Sequence, residues 1–352
     1  MGTLKKPGRV KSAILNWMGI PISLTDGTFW GEWSGKSSSG KTVTADNALQ
    51  LSAVWSCVRL LSESISTLPL KIYKTNIDGS RELAKQHPAY TVLCRRPNSE
   101  MTPSRFMLMV VASLCLRGNA FIEKLYIGSK LVSLNPLLPQ YMVVKRLDNG
   151  RLEYIYTDSK SGKRVIHDKN IMHIRGFGMD GVCGMIPIQV GRDVIGTALS
   201  TDEAAGKVFE NGLQTSGLLT SKTALKPDQR ERLRKHLTTF SGSKNAGKVM
   251  ILEADLSFQN VTMNPETAQL LQSRGYSIEE ICRWFRVPPF MVGHADKQSS
   301  WASSVEGMNM QFLTNTLRPL LVNIEQEINR CLLDSDDDYY AEFSVEGLLR
   351  AD

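Results

Sequence analysis

No apolar run in this sequence is long enough to cross a bilayer. The longest, residues 106–116, has about half of the ~20 residues that a spanning helix needs. A short apolar stretch at 13–18 follows basic residues, but Asn16 and Trp17 interrupt it and it is too brief for a secretory signal. No membrane contact is expected. Cysteine pairing is missing as well. The six cysteines (Cys57, Cys94, Cys115, Cys183, Cys282, Cys331) stand singly with no C-x-x-C spacing, so they read as free thiols in a reducing compartment. Histidine is scarce, with five in the chain, and no H-E-x-x-H or Cys/His ligand spacing occurs. His167 and His173 are six apart, while His87, His236 and His294 stand alone. The acidic stretch 334–338 lacks the turn glycine and the distal Glu of a calcium loop. Neither G-x-S-x-G nor a Cys–His signature is found. The expectation is a protein that is not an enzyme, with no metal and no cofactor.

What is present is length, an adequate core and uneven charge. The chain has 352 residues, of which 42% are hydrophobic, enough to bury a core without disulfides or metals. Lys and Arg number 42 against 35 Asp and Glu, a net +7. The excess is local. Residues 1–45 carry Lys5, Lys6, Arg9, Lys11, Lys36 and Lys41 against Asp26 and Glu32, whereas 334–352 hold seven acids against Arg350. Residues 217–263 hold eight basic residues against four acids.

The strongest motif match is Gly35 to Thr42, which fits the phosphate-binding pattern G-x-x-x-x-G-K-[ST]. Such a loop needs a buried strand before it and a helix starting at the Lys-Thr pair, so that backbone N–H groups and the helix dipole meet the phosphates. Here 29–33 is not a strand run, and the first helix is expected later, capped by Asp46. A P-loop NTPase of a DNA packaging or remodelling machine is therefore kept as the alternative reading. A near match at 242–249 lacks the Ser/Thr, and 249–253 reads as an ordinary strand ending in Glu.

Periodicity organises the rest. Leu51, Val54, Val58, Leu61, Ile65 and Leu68 form one helical stripe. A hairpin turn is expected at Asp78-Gly79. A helix opens at Thr102-Pro103, with a cap and then Pro in the first turn, and closes at Gly118. Six short antiparallel strands follow between 120 and 175. A long helix is expected over 187–211. Its Gly191, Gly196, Ala204 and Gly206 make it thin, which suits close packing of one subunit against another. A basic α/β module, a helix over 266–285, a polar loop and a last helix kinked at Pro319 complete the order. Ser303 with Glu306 offers that last helix a capping box.

Several segments, in this order, resemble the tailed-phage portal proteins of the HK97 type. They are Asn47-Ala-Leu-Gln-Leu-Ser-Ala-Val-Trp-Ser-Cys-Val58, Glu63-Ser-Ile-Ser-Thr-Leu-Pro-Leu70, His87-Pro-Ala-Tyr90, Arg96-Pro-Asn98, Arg117-Gly-Asn-Ala120, Val287-Pro-Pro289, and Thr316-Leu-Arg-Pro319 followed by Ile324-Glu-Gln-Glu-Ile-Asn329. The resemblance spans about 45–350. It implies an α+β, ring-forming subunit: an α+β wing, two long stem helices flanking a small α/β clip, and a long kinked helix. The implied division is an N-terminal arm at 1–45, wing 46–185, first stem helix 186–212, clip 213–265, second stem helix 266–287, tunnel loop 288–303, kinked helix 304–333, and an acidic segment 334–352 returning to the wing, with the crown short or missing. It further implies a homo-oligomer, usually of twelve subunits, at the capsid portal vertex of the virion, assembled in the host cytoplasm. Double-stranded DNA would pass through it without sequence recognition. The terminase large subunit, a head-tail adaptor and the major capsid protein would be partners.

On that frame Lys297, Gln298 and Trp301 are the candidates to face DNA, Lys297 meeting phosphates; the other reading of Trp301 is core packing at a helix start. Arg230, Arg234, Lys235 and Lys244 are candidate docking charges of the clip, or a solvated helix face. Arg230 and Arg234, four apart, share a face.

Overall fold

The computed structural model describes residues 37–158, 162–210, 217–221, 227–231, 235, 256–260, 265–294, 305–333 and 338–346. Helix α1 (Ala45–Ala48) opens with a capping box. The Thr44 hydroxyl accepts from the Asn47 N–H, and the Asn47 carboxamide oxygen accepts from the Thr44 N–H at 2.7 Å. This corrects the expected Asp46 cap. Asp46 sits in the first turn, where its charge still meets the positive end of the helix dipole. A break at 49–51 separates α1 from α2 (Ser52–Ser66), whose Val54, Cys57, Val58, Leu61 and Ile65 are buried.

Strands β1 (Leu70–Thr75) and β2 (Arg81–Leu83) form a hairpin turning at Gly79, which takes φ of 80°. Helix α3 (Pro88–Tyr90) runs into a π-turn at Thr91–Arg95. Helix α4 (Pro103–Arg117) has Thr102 as its cap and Gly118 in the left-handed region at its end, as the sequence predicts.

The six expected strands are β3 (Asn119–Ile127), β4 (Lys130–Leu137), β5 (Met142–Arg146), β6 (Leu152–Asp158), β7 (Gly162–Ile166) and β8 (Ile171–Arg175). They split into two antiparallel sheets, β4-β3-β8 and β5-β6-β7, because β8 returns to pair with β3. Phe121, Met142, Val144, Tyr154 and Ile166 fill a small core between them.

The long helix expected over 187–211 is two pieces, α5 (Pro187–Val190) and α6 (Arg192–Glu210). The break is a turn at Gly191, with the Trp284 ring against it; a Cβ there would be 3.3 Å from the ring. Strands β9 (Gly217–Ser221) and β10 (Leu256–Asn260) pair antiparallel; residues 249–253 lie outside the described residues. Helix α7 (Pro265–Phe285) is followed by α8 (Val305–Phe312), a π-turn (Leu313–Leu317) and α9 (Arg318–Leu332). The kink expected at Pro319 is taken up one turn earlier. Pro319 has no N–H to bond back into the ladder, and the preceding turn widens. Ser303, offered as the cap, lies outside the described residues.

Strand β11 (Tyr339–Phe343) pairs with β1 to complete the sheet β11-β1-β2. One large core joins α2, α4, α7 and α9, with Ile65, Val111, Cys282 and Ile324 fully buried. Each such aliphatic side chain contributes roughly 1.5–3 kcal/mol. The six cysteines are free, as their spacing implies.

Candidate functional site

The phosphate-loop match is used for something else. The Ser37 N–H donates to the Lys41 carbonyl at 2.8 Å and the Gly40 N–H to the Ser37 carbonyl at 2.7 Å, which closes a tight turn. The Ser37 hydroxyl accepts from the Lys41 N–H, and the Ser38 N–H donates to the Asp193 carboxylate at 2.8 Å. The Lys41 ammonium pairs with Glu203. Hydrogen bonds from Lys41 and Lys207 hold the Glu203 carboxyl down at about 2. The Ser37, Gly40 and Lys41 N–H groups thus close the turn, the Ser38 N–H and the Lys41 ammonium are spent on α6, and no helix begins at Lys41-Thr42; Gly35 and Lys36 lie outside the described residues. The nucleotide-site reading is corrected on this geometry.

Helices α6 and α7 come next. On α6, Asp202 accepts from Arg274 of α7 at 2.9 Å. Gly191 receives Trp284, and a Cβ on Gly196 would lie 2.2 Å from the Ser37 hydroxyl. At these two positions the glycine faces side chains of the same chain. Ala204 is exposed, and a Cβ at Gly206 would meet nothing within 4 Å. Of the clip candidates, Arg230 is exposed, and Lys235, also exposed, pairs with Glu231 at 3.6 Å. Arg234 and Lys244 lie outside the described residues, as do Lys297, Gln298 and Trp301 of the tunnel loop.

Sequence reasoning missed a buried polar network at the end of α4. The Asn119 carboxamide donates to the carbonyls of Arg117 (3.1 Å) and Gly184 (2.8 Å). Its oxygen accepts from the Gly184 N–H (2.8 Å) and faces His173 Nε2 (2.9 Å). His173 Nδ1 faces the Tyr154 hydroxyl at 3.4 Å. Since the Asn119 oxygen can only accept, Nε2 carries the ring proton. Burial, then the charges of Arg175 and Arg330, push the His173 pKa well below the ordinary imidazole value. Around the network the backbones interlock: a Cβ on Gly118 would sit 1.9 Å from the Met185 carbonyl oxygen. The available signal was a lone polar Asn after a helix-ending glycine, and a His inside an apolar strand.

Other segments that carried the resemblance also act as fasteners. Asn98 donates to the Leu134 carbonyl and caps the turn at Glu100 and Met101. Thr316 donates to the Arg286 carbonyl at 2.6 Å, which ties the 287–289 segment to the π-turn. Among the described residues no group of three His, Cys, Asp or Glu is placed to hold a metal ion, and no helix is long and apolar enough to cross a membrane.

A family model described as "Phage portal protein" matches residues 52–352. The chain belongs to the phage portal protein family. The portal protein of Enterobacteria phage HK97 is 31% identical over 317 residues, covering 88% of this chain and 74% of that protein. The probable portal protein of Streptomyces phage phiC31 is 32% identical over 329 residues, covering 89% and 71%. Among solved structures, a chain in the neck of a native gene transfer agent particle, determined with twelvefold symmetry, superposes with a TM-score of 0.65 at 21% identity, covering 84% of this chain and 81% of that one. The portal fold is thus an α+β subunit in which α6 and α7 lie side by side.

Proposed function

We propose that this portal subunit forms a ring at the capsid vertex and serves, without catalysis of its own, as the conduit for double-stranded DNA in packaging and ejection. The observation that carries this is the family match over 52–352, nearly all of the folded chain. The twelvefold neck holding a chain of the same fold supports a closed ring.

In this reading 46–185 is the wing, 186–212 and 266–287 the stem, 213–265 the clip, 288–303 the tunnel loop and 304–333 the kinked helix, with 334–352 returning to the wing. The exposed Arg230 and Lys235, with Arg234 and Lys244, would dock the terminase large subunit and then the head-tail adaptor. Lys297, Gln298 and Trp301 would face the duplex. Ala204 and Gly206, open on α6, would let neighbouring stems approach. Capsid protein would meet the wing and arm. A passage favours few phosphate contacts, since each neutralised phosphate adds salt-sensitive affinity that opposes sliding.

Mass photometry of the purified protein tests the ring. The expected species is about 470 kDa, twelve times the 39.2 kDa subunit; a folded monomer at micromolar concentration overturns the proposal. Lys297→Glu tests the lumen: packaging should change while rings persist, and unchanged packaging removes that assignment.

A further inference from the structure

A second feature of the wing has no part in this reading. Between β6, β8 and the end of α9 lies an open cleft of about 330 Å³. Four cations line it: Lys124, Lys169, Arg175 and Arg330. Among the described residues only Asp168 opposes them in the lining, and that carboxylate accepts from the Lys169 N–H. Glu327 forks onto Arg330, and its charge and that of Asp168 also reach Lys124, so among the described residues two carboxylates face four cations. Lys124 is 7% exposed, and its ammonium, with three donors, reaches one acceptor among the described residues, the Cys331 carbonyl at 3.1 Å. Arg175 is fixed by its bond to the Val182 carbonyl at 3.0 Å. Lys169 has no side-chain partner among the described residues and stands exposed at the mouth.

A recessed, incompletely satisfied ammonium among fixed guanidinium groups is a receptor for anionic oxygen. The shape selects the bearer. Duplex phosphates lie on a wide convex surface and cannot be lowered to Lys124. Free phosphate would leave the apolar wall of Leu152 and Ile171 bare. An extended peptide can present carboxylates to the cations and an aliphatic side chain to that wall. We propose that this cleft docks an acidic peptide segment of a partner protein, with Asp or Glu alternating with an aliphatic residue. Lys124 and Arg175 form its floor, and Lys169 and Arg330 its rim.

Fluorescence anisotropy with a labelled Asp-Leu-Asp-Asp-Leu-Glu peptide and the full-length oligomer tests this, with thermal melts confirming that each variant folds. The expected result is saturable binding at low salt that weakens at least about fivefold in both Lys169→Glu and Arg330→Gln. The counterpart peptide with Asn and Gln in place of the acids should not bind. Absence of saturable binding, equal binding of the counterpart, or unchanged affinity in both variants overturns the proposal. Displacement of the peptide by equimolar inorganic phosphate or by a short DNA duplex assigns the cleft to those ligands instead. Neutralising Asp334, Asp336 and Asp337 to Asn should leave affinity unchanged. A several-fold gain would make this chain's own acidic stretch the occupant and overturn the partner.

Discussion

Asn119 uses all four hydrogen-bonding positions of its carboxamide, two donated and two accepted, while 3% exposed. Asn119→Ala would strand the Gly184 N–H and carbonyl and the His173 Nε2–H together. The expected cost is about 2–4 kcal/mol, measured by urea denaturation of the subunit. The same network sets a pH dependence. His173 is neutral when folded, and its pKa lies below that of the unfolded chain. Below about pH 6.5 the unfolded state therefore binds more protons than the folded one. Stability from this group is complete above that pH and falls as pH drops, by up to about 1.4 kcal/mol per unit. His173→Gln should flatten the decline of melting temperature between pH 7 and 5; an unaltered slope would assign it to other groups. Little of this was legible in sequence, because Asn119 and His173 are 54 positions apart and only the fold makes them neighbours.

Helices and strands were legible where one physical rule acts locally. Thr102, Pro103 and Gly118 bound α4 as cap chemistry dictates, and apolar spacing marked α2. The misses lie where tertiary contact overrides the local rule. The Thr44–Asn47 box displaced Asp46 as cap, and a turn at Gly191, against Trp284, separates α5 from α6. The partition of six strands into two sheets depended on β3 choosing β8, which no local pattern encodes. The widened turn before Pro319 is another case, since its Thr316 hydroxyl is the partner of the Arg286 carbonyl. Arg286 itself takes φ of 56°, so that segment is held in a conformation that side chains seldom adopt. Thr316→Val keeps the shape and removes the donor. It should destabilise by about 1–3 kcal/mol in a chemical denaturation series, with greater hydrogen exchange at the Arg286 and Val287 amides. Gly196→Leu should push the Ser37 turn off α6, read as new protease cleavage near residues 37–41, while the core helices stay protected.

For the molecule as a whole, family membership was legible from the order of short segments rather than from any one of them. Three of those segments place a side chain, Asn98, Asn119 or Thr316, on the backbone of a distant element. The net charge of +7 said little, because its excess sits in the arm and in 217–263 and is opposed at 334–352. Assembly can be separated from folding at α6. Arg at both Ala204 and Gly206 replaces a helical glycine that costs roughly 1 kcal/mol, so the subunit should melt no lower than before. If neighbouring stems pass close to this face, the added bulk should shift mass photometry from rings to small oligomers. Persistent rings would place the contact elsewhere.

Pairing of Leu70 with Phe343 also has a consequence in time. Strand β1 leaves the ribosome 273 positions before its partner, roughly 14–55 s earlier at about 5–20 residues per second. Until then one edge of that sheet is unpaired, and loop-closure entropy delays this sheet more than any local helix. A nascent chain halted before residue 339 therefore exposes the edge of β1, whereas one extended past residue 343 covers it.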